Sequence, residues 1–132
     1  MAGEIRPMPE RIEVPSLARP GGHYSHAVRA AGLVFVSGQL PIRPDGTRMT
    51  DASFEDQARQ TLDNVAQALR AAGTDIEKLV QVRVYIDDVD HWPAFNVVYA
   101  TWAGTALPAR AIVPVAALHY GLKVEVEAIA LA

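Results

Sequence analysis

Residues Ser53 to Ile86 read SFEDQARQTLDNVAQALRAAGTDIEKLVQVRVYI, and the change of period inside this stretch decides the fold class. Phe54, Ala58, Leu62, Val65 and Leu69 recur every three or four residues and make one apolar stripe of a helix running from Ser53 to Ala72. Ser53 is the expected N-cap, Glu55 and Asp56 suit the positive end of the helix dipole, and Gly73 supplies the left-handed residue that often closes a helix. Beyond Gly73 the period drops to two. Val80, Val82, Val84 and Ile86 alternate with Gln81, Arg83 and Tyr85, the pattern of a sheet strand covered by helices on one face only. Asp87-Asp88 stops it.

Upstream, His26 to Ala30 and Leu33 to Ser37 are strand-like, with Gly32 as the turn between them and Gly38-Gln39 as the end. Pro41, Pro44 and Asp45-Gly46 then predict a tight loop. Residues 1–22 carry Pro7, Pro9, Pro15, Pro20 and Gly21-Gly22, which excludes a helix and leaves an arm with at most a short strand near Ile12 to Val14. Downstream, a second helix is expected from about Asp90 to Ala103. Pro93 is tolerable in its first turn, Phe95, Val98 or Tyr99 and Trp102 point inward, and Trp92 is grouped with Tyr99 and Trp102 on its core face. Ala111 to Val115 and Leu122 to Ala130 are the last strands. The order β-β-α-β-α-β-β over residues 23–132 predicts an α+β domain, a mixed sheet with two helices on one face. The other face has no cover within the chain, so burial against another subunit is expected.

A chain of 132 residues, half of them apolar, can bury one core and is too short for two ordinary domains. A net charge of -3 with no basic stripe makes nucleic acid an unfavoured partner. Cysteine is absent, which excludes disulfides, thiolate metal sites and a cysteine nucleophile. His23, His26, His91 and His119 form no HxxxH or HxH pair, so no metal site is expected. The start of the chain is charged and proline-rich, and no run of about 18 apolar residues occurs, so a cytoplasmic protein without a membrane partner is expected.

Five stretches carry a resemblance. They are His23 to Val28 (HYSHAV), Leu33 to Pro41 (LVFVSGQLP), Phe95 to Tyr99 (FNVVY), Pro108-Ala109-Arg110, and Val124 to Ala130 (VEVEAIA). In order and spacing, over residues 20 to 131, they resemble the Rid (reactive intermediate deaminase, RidA/YjgF) family of enamine and imine deaminases, also called endoribonuclease L-PSP. The resemblance implies a chorismate-mutase-like homotrimer with sites at the subunit interfaces. It further implies hydrolysis of 2-iminoacids, such as 2-iminobutanoate and 2-iminopropanoate, to 2-oxoacids and ammonia, with no cofactor.

Arg110 corresponds to the arginine that holds the substrate carboxylate, a role its rigid donor fork suits and a lysine would not copy. Taken alone, it reads as a surface or structural arginine in an intrachain ion pair. Glu125 shares a strand face with Lys123 and Glu127, opposite the apolar set, and the resemblance implies that it positions the attacking water. Alone, it reads as a solvated carboxylate or a partner of Lys123. Tyr24, Ser37, Gly38 and Asn96 match pocket-lining positions, against the simpler readings of a packing anchor for Tyr24 and a backbone-bonding side chain for Asn96. The chain departs from the common pattern at His26, Ala111, Ile112, Pro114 and the turn Leu118-His119-Tyr120-Gly121. Those changes make the pocket more apolar and leave open a larger, aminomuconate-like enamine as substrate, or a trimer that binds small carboxylates without turnover. A ribonuclease reading is opposed by the acidic balance.

Overall fold

In the computed structural model, which describes residues 7–132, the predicted stripe folds as α1 (Phe54–Ala71). The Ser53 side chain accepts from the Asp56 backbone N–H as N-cap, and Gly73 follows the helix at φ 84°. Phe54, Ala58, Leu62, Val65 and Leu69 are all buried. The remaining elements are β1 (Glu10–Ile12), β2 (Ala27–Ala30), β3 (Leu33–Gln39), β4 (Leu79–Ile86), α2 (Trp92–Ala103), β5 (Ala109–Pro114) and β6 (Val124–Leu131).

The strands form one mixed sheet in the order β1-β2-β3-β6-β4-β5, with β4 and β5 parallel and every other pair antiparallel. Ala31 and Gly32 both take positive φ in the β2–β3 turn, which is the requirement of a tight two-residue hairpin. Both helices pack on one sheet face. There Val34 and Val36 of β3, Val82, Val84 and Ile86 of β4, and Val124, Val126, Ala128 and Ala130 of β6 meet α1 together with Phe95, Val98 and Tyr99 of α2.

The predicted α+β architecture is therefore the observed one, with a sixth strand added at its edge. Of the segment read as an arm, residues 1–6 lie outside the described residues. Its short strand falls slightly earlier than predicted, at Glu10–Ile12, paired with β2, and Ile12, Val14 and Leu17 join the core. Arg29 of β2 ties this edge down. It pairs with Glu10 of β1 at 2.5 Å and also donates to the carbonyl of Ala72 just past α1.

Three expectations are corrected. Val80 does not follow Val82 and Val84 into the core: the β4–β6 register slips between Leu79 and Gln81, and this bulge turns Val80 outward to 43% exposure. Trp92 is not on the core face of α2, since it begins the helix and is half exposed, whereas Tyr99 is buried and Trp102 partly so. The hairpin does not stop at Ser37, because β3 runs on to Gln39 across a second register shift between Val36 and Gln39.

Two buried polar side chains of α1 anchor the long excursion from Leu40 to Ala52. Asn64 donates from Nδ2 to the carbonyls of Leu40 and Ile42, at 3.1 and 3.0 Å. Gln57 donates to the Ala52 carbonyl and accepts from the Lys123 N–H, which joins that excursion to the start of β6. Being satisfied, these groups cost little to bury.

Candidate functional site

Two groups of the predicted site residues form, one on each side of the sheet. On β6, Val124 and Val126 point into the core, so Glu125 points to the opposite, outward face. In the β4–β6 ladder it stands beside Tyr85, on the face that also bears Glu127 and Arg83. Tyr85 donates its hydroxyl to Glu127 at 2.7 Å, and Arg83 lies 3.4 Å from the same carboxylate oxygen. Glu127 is thereby partnered, and no hydrogen-bond or ion-pair partner within the described residues claims Glu125. Burial pushes the Glu125 carboxyl above the usual carboxylate range; His119 opposes this and Glu127 reinforces it.

The bulge at Ser37-Gly38 brings β3 against that carboxylate. A Cβ on residue 38 would stand 2.5 Å from Glu125 Oε2 and 3.1 Å from its Cδ, so the side chain occupies the space that only a glycine leaves open. Ser37 donates its hydroxyl to the Ser25 carbonyl at 2.6 Å, which leaves its oxygen free to accept. Tyr24, half exposed, packs edge-on to His26 with ring centroids 6.2 Å apart, and its hydroxyl accepts from the Gly21 N–H. His26 Nε2 lies 2.7 Å from the Ala18 carbonyl and Nδ1 3.1 Å from Gln39 Nε2, an arrangement that fits a neutral ring protonated on Nε2. His26 thus clasps the segment bearing Tyr24 to β3. Tyr24, His26 and Gly38 line a cleft of about 200 Å³.

Arg110 lies elsewhere. It is the second residue of the edge strand β5 and is in register with Val82, whose side chain faces the helices. Its guanidinium lies on that same side, 4.9 Å from the centre of the Tyr99 ring on α2. Burial pushes the Tyr99 hydroxyl above its ordinary value, with Arg110 opposing the rise. Asn96 precedes Tyr99 by one helical turn and flanks the same corner. The two departures after Arg110 split between faces: Ile112 packs against the core and Ala111 is exposed.

Within one chain, then, Ser37, Gly38 and Glu125 come together on the outward side, with Tyr24 lining the cleft beside Gly38, and Asn96 and Arg110 lie on the helix side. The sheet separates the two groups. Residues that the sequence did not single out as site residues are Tyr99 beside Arg110, and Arg19, Arg48 and Tyr120 in the cleft beside Gly38. No local signal marks these four, because each reaches its group through a contact between distant elements. Among the described residues, no set of three or more His, Asp or Glu side chains converges as a metal would require, and no helix is long and apolar enough to cross a membrane.

Comparison with known proteins accords with this fold. The family model described as Endoribonuclease L-PSP matches residues 16–132. Protein HMF1 of Saccharomyces cerevisiae is 40% identical over 107 residues, which cover 81% of this chain and 82% of the yeast protein. The 2-iminobutanoate/2-iminopropanoate deaminase of Mus musculus is 34% identical over 130 residues, covering 98% of this chain and 94% of the mouse protein. The crystal structure of E. coli TdcF with bound serine superposes with a TM-score of 0.87 at 33% identity, covering 93% of this chain and 98% of TdcF. With the fold matched and the family model covering residues 16–132, the chain belongs to the endoribonuclease L-PSP family, the RidA/YjgF group of reactive intermediate deaminases and their relatives.

Proposed function

We propose that the protein is an enamine/imine deaminase that hydrolyses small 2-iminoacids, such as 2-iminobutanoate and 2-iminopropanoate, to 2-oxoacids and ammonia. One observation carries the reading furthest: Arg110 and Glu125 sit on opposite faces of one sheet, each in an incomplete half of a site. A second copy of the chain supplies the missing half if its Arg110 corner closes on the Glu125 face. The outward face suits such a contact, since Phe35 is 40% exposed there beside Val28 and Ile129. A homotrimer with three equivalent interfaces closes the arrangement by symmetry.

In the joined site, Arg110 grips the substrate carboxylate through two parallel hydrogen bonds, and Asn96 flanks it. The enamine gains a proton on carbon to become the imine, protonated on nitrogen. Water held by Glu125 then attacks the imine carbon and loses a proton to the carboxylate. The resulting carbinolamine receives that proton on nitrogen, the C–N bond breaks as the hydroxyl proton passes back to Glu125, ammonia leaves and the carbonyl forms. A carboxylate whose pKa is raised toward neutrality is suited to both taking and returning the proton. Tyr24, Ser37 and Gly38 shape the pocket around the reacting carbon. Every step uses water and side chains alone, and holding the reactants in place supplies up to about 7 kcal/mol of the barrier reduction. The name of the mouse relative and the serine in the TdcF structure support a small amino- or imino-acid ligand.

The test is a coupled assay in which a pyridoxal-dependent dehydratase generates the imine and the appearance of oxoacid is followed. Faster release than the spontaneous rate is expected. The bound serine also favours a second reading, a trimer that holds small carboxylates without turnover. Calorimetric binding of 2-oxobutyrate beside an unaccelerated assay would establish that reading instead.

A further inference from the structure

Arg110 stands on β5, an edge strand with a neighbour on one side only, and it is exposed. Among the described residues, no carboxylate lies within ion-pair distance of its guanidinium. A long, flexible side chain in that setting loses conformational freedom when a ligand orders it, and binding weakens by that loss. The guanidinium is nevertheless met by an aromatic face, that of Tyr99, whose ring centre lies 4.9 Å from its Cζ.

Tyr99 is fixed by its own neighbours. It is buried on α2 between Phe95, one turn before it, and Trp102, one turn after, with ring centroids 5.7 and 5.8 Å away. Phe95 in turn is fully buried, so Phe95, Tyr99 and Arg110 form a line from the core to the edge of the sheet. The Tyr99 hydroxyl is buried and makes no hydrogen bond within the described residues, so it is the face of the ring that meets the arginine. Burial also holds that hydroxyl above its ordinary pKa, and the ring therefore presents no negative charge to the guanidinium in the physiological range.

A face contact suits an arginine that must grip a carboxylate. An aspartate or glutamate beside it would occupy the in-plane N–H donors, and a ligand would have to displace that partner. An aromatic ring attracts the cation through its face and leaves the donors open.

We propose that Tyr99 is a positioning residue for the carboxylate anchor: its ring holds the Arg110 guanidinium in the orientation in which the donor fork faces the ligand. The proposal rests on the deaminase reading for Arg110 as the anchor and adds the residue that orients it. Tyr99 acts through Arg110 and not on the reacting atoms, so its loss weakens carboxylate binding and spares the chemical step.

The experiment measures 2-oxobutyrate affinity by calorimetry, and kcat and KM in the coupled assay, on the assembled protein. Tyr99→Phe keeps the ring and removes a hydroxyl that has no partner, so affinity and KM should stay within about twofold of the parent's. In Tyr99→Leu, KM should rise about 5-fold while kcat stays within about twofold, the scale of a partly exposed cation–π contact. That variant also thins the core, so a second series separates packing from electrostatics. Phenylalanine, 4-fluoro-, 3,5-difluoro- and 3,4,5-trifluorophenylalanine are placed in turn at position 99. These rings have nearly one shape and a progressively less negative face. Affinity should fall along the series, by about 2- to 5-fold in total, whereas a ring that only fills space gives no trend.

A flat series overturns the proposal, as does a Tyr99→Leu variant that loses kcat at unchanged KM. If Arg110→Ala loses 2-oxobutyrate while the series is flat, Arg110 remains the anchor and Tyr99 alone is removed. If Arg110→Ala binds as the parent does, or the parent does not bind at all, the anchor and the residue that positions it fall together. A graded series in a protein that binds the oxoacid without turnover upholds Tyr99 and removes the deaminase.

Discussion

The carboxylate of Glu125 on β6 lies directly over Gly38 on β3, in space that a Cβ at residue 38 would enter to within 2.5 Å of Oε2. The two positions meet because the β3 register slips at Ser37-Gly38 just as β3 passes Val126, the neighbour of Glu125. Gly38 does not adopt a positive φ, so its backbone accepts any residue. The requirement for glycine comes from the carboxylate alone.

Gly38→Ala is therefore expected to leave the fold in place while displacing Glu125. The nearest atom is the far end of a flexible side chain, so the thermal midpoint should move by only a few degrees. Turnover should fall by about 10- to 100-fold, the scale of a misplaced general base. A variant that unfolds, or one that keeps full activity, contradicts the assignment of Gly38 as the floor under Glu125.

Arg110→Ala should abolish both turnover and oxoacid binding, and Arg110→Lys should recover little of either. Glu125→Gln should lower turnover by about 100-fold or more and leave product binding nearly intact. Because the two residues face opposite sides of one chain, the inactive variants should complement each other. Co-refolding Arg110→Ala with Glu125→Gln pairs an intact Arg110 with an intact Glu125 in about a quarter of random interfaces, and activity should return in that proportion. No recovery would place both residues of each site in the same chain.

The raised pKa of Glu125 has two consequences for pH dependence. The folded protein keeps this proton to a higher pH than the unfolded chain does. Stability is therefore lost as pH rises from the ordinary carboxylate range through the raised value, and the loss persists above it. Glu125→Gln, which cannot ionise, should gain stability relative to the parent across that window and match it most closely at the acid end. The acid limb of the pH profile of kcat/KM should also lie above the position of an ordinary carboxylate and disappear in Glu125→Gln. Chemical denaturation and initial rates over a pH series measure both.

Phe35→Asp tests the interface. Phe35 pairs with Val28 and Ile129 across the outward face, so burying a charge there in an assembly is costly, while in a monomer the position remains in water. Sedimentation should show a folded monomer without turnover in place of the proposed trimer. An assembled Phe35→Asp would show that this face is not the contact.

The chain's local patterns carried much of this architecture. The stripe from Phe54 to Leu69 with its Ser53 cap, and the alternation from Leu122 to Ala128, each state within a few residues which side is buried. That was enough for an α+β sheet with two helices on one face. The outward direction of Glu125 followed from the same alternation. Resemblance, rather than pattern, singled out Arg110, Tyr24, Ser37, Gly38 and Asn96.

What the local patterns could not hold was anything set by a partner strand or a distant loop. A bulge is a mismatch between two strands, so neither the strand of Val80 nor that of Gly38 announces it. Arg48 meets Tyr120 only because Asn64 and Gln57 fasten the intervening excursion to α1. Periodicity and caps depend on hydrogen bonds and burial within one element and are written in neighbouring residues. The contact of Glu125 with Gly38, the outward turn of Val80 and the division of Arg110 from Glu125 by the sheet depend on register between elements far apart in the chain, and the packed structure alone decides them.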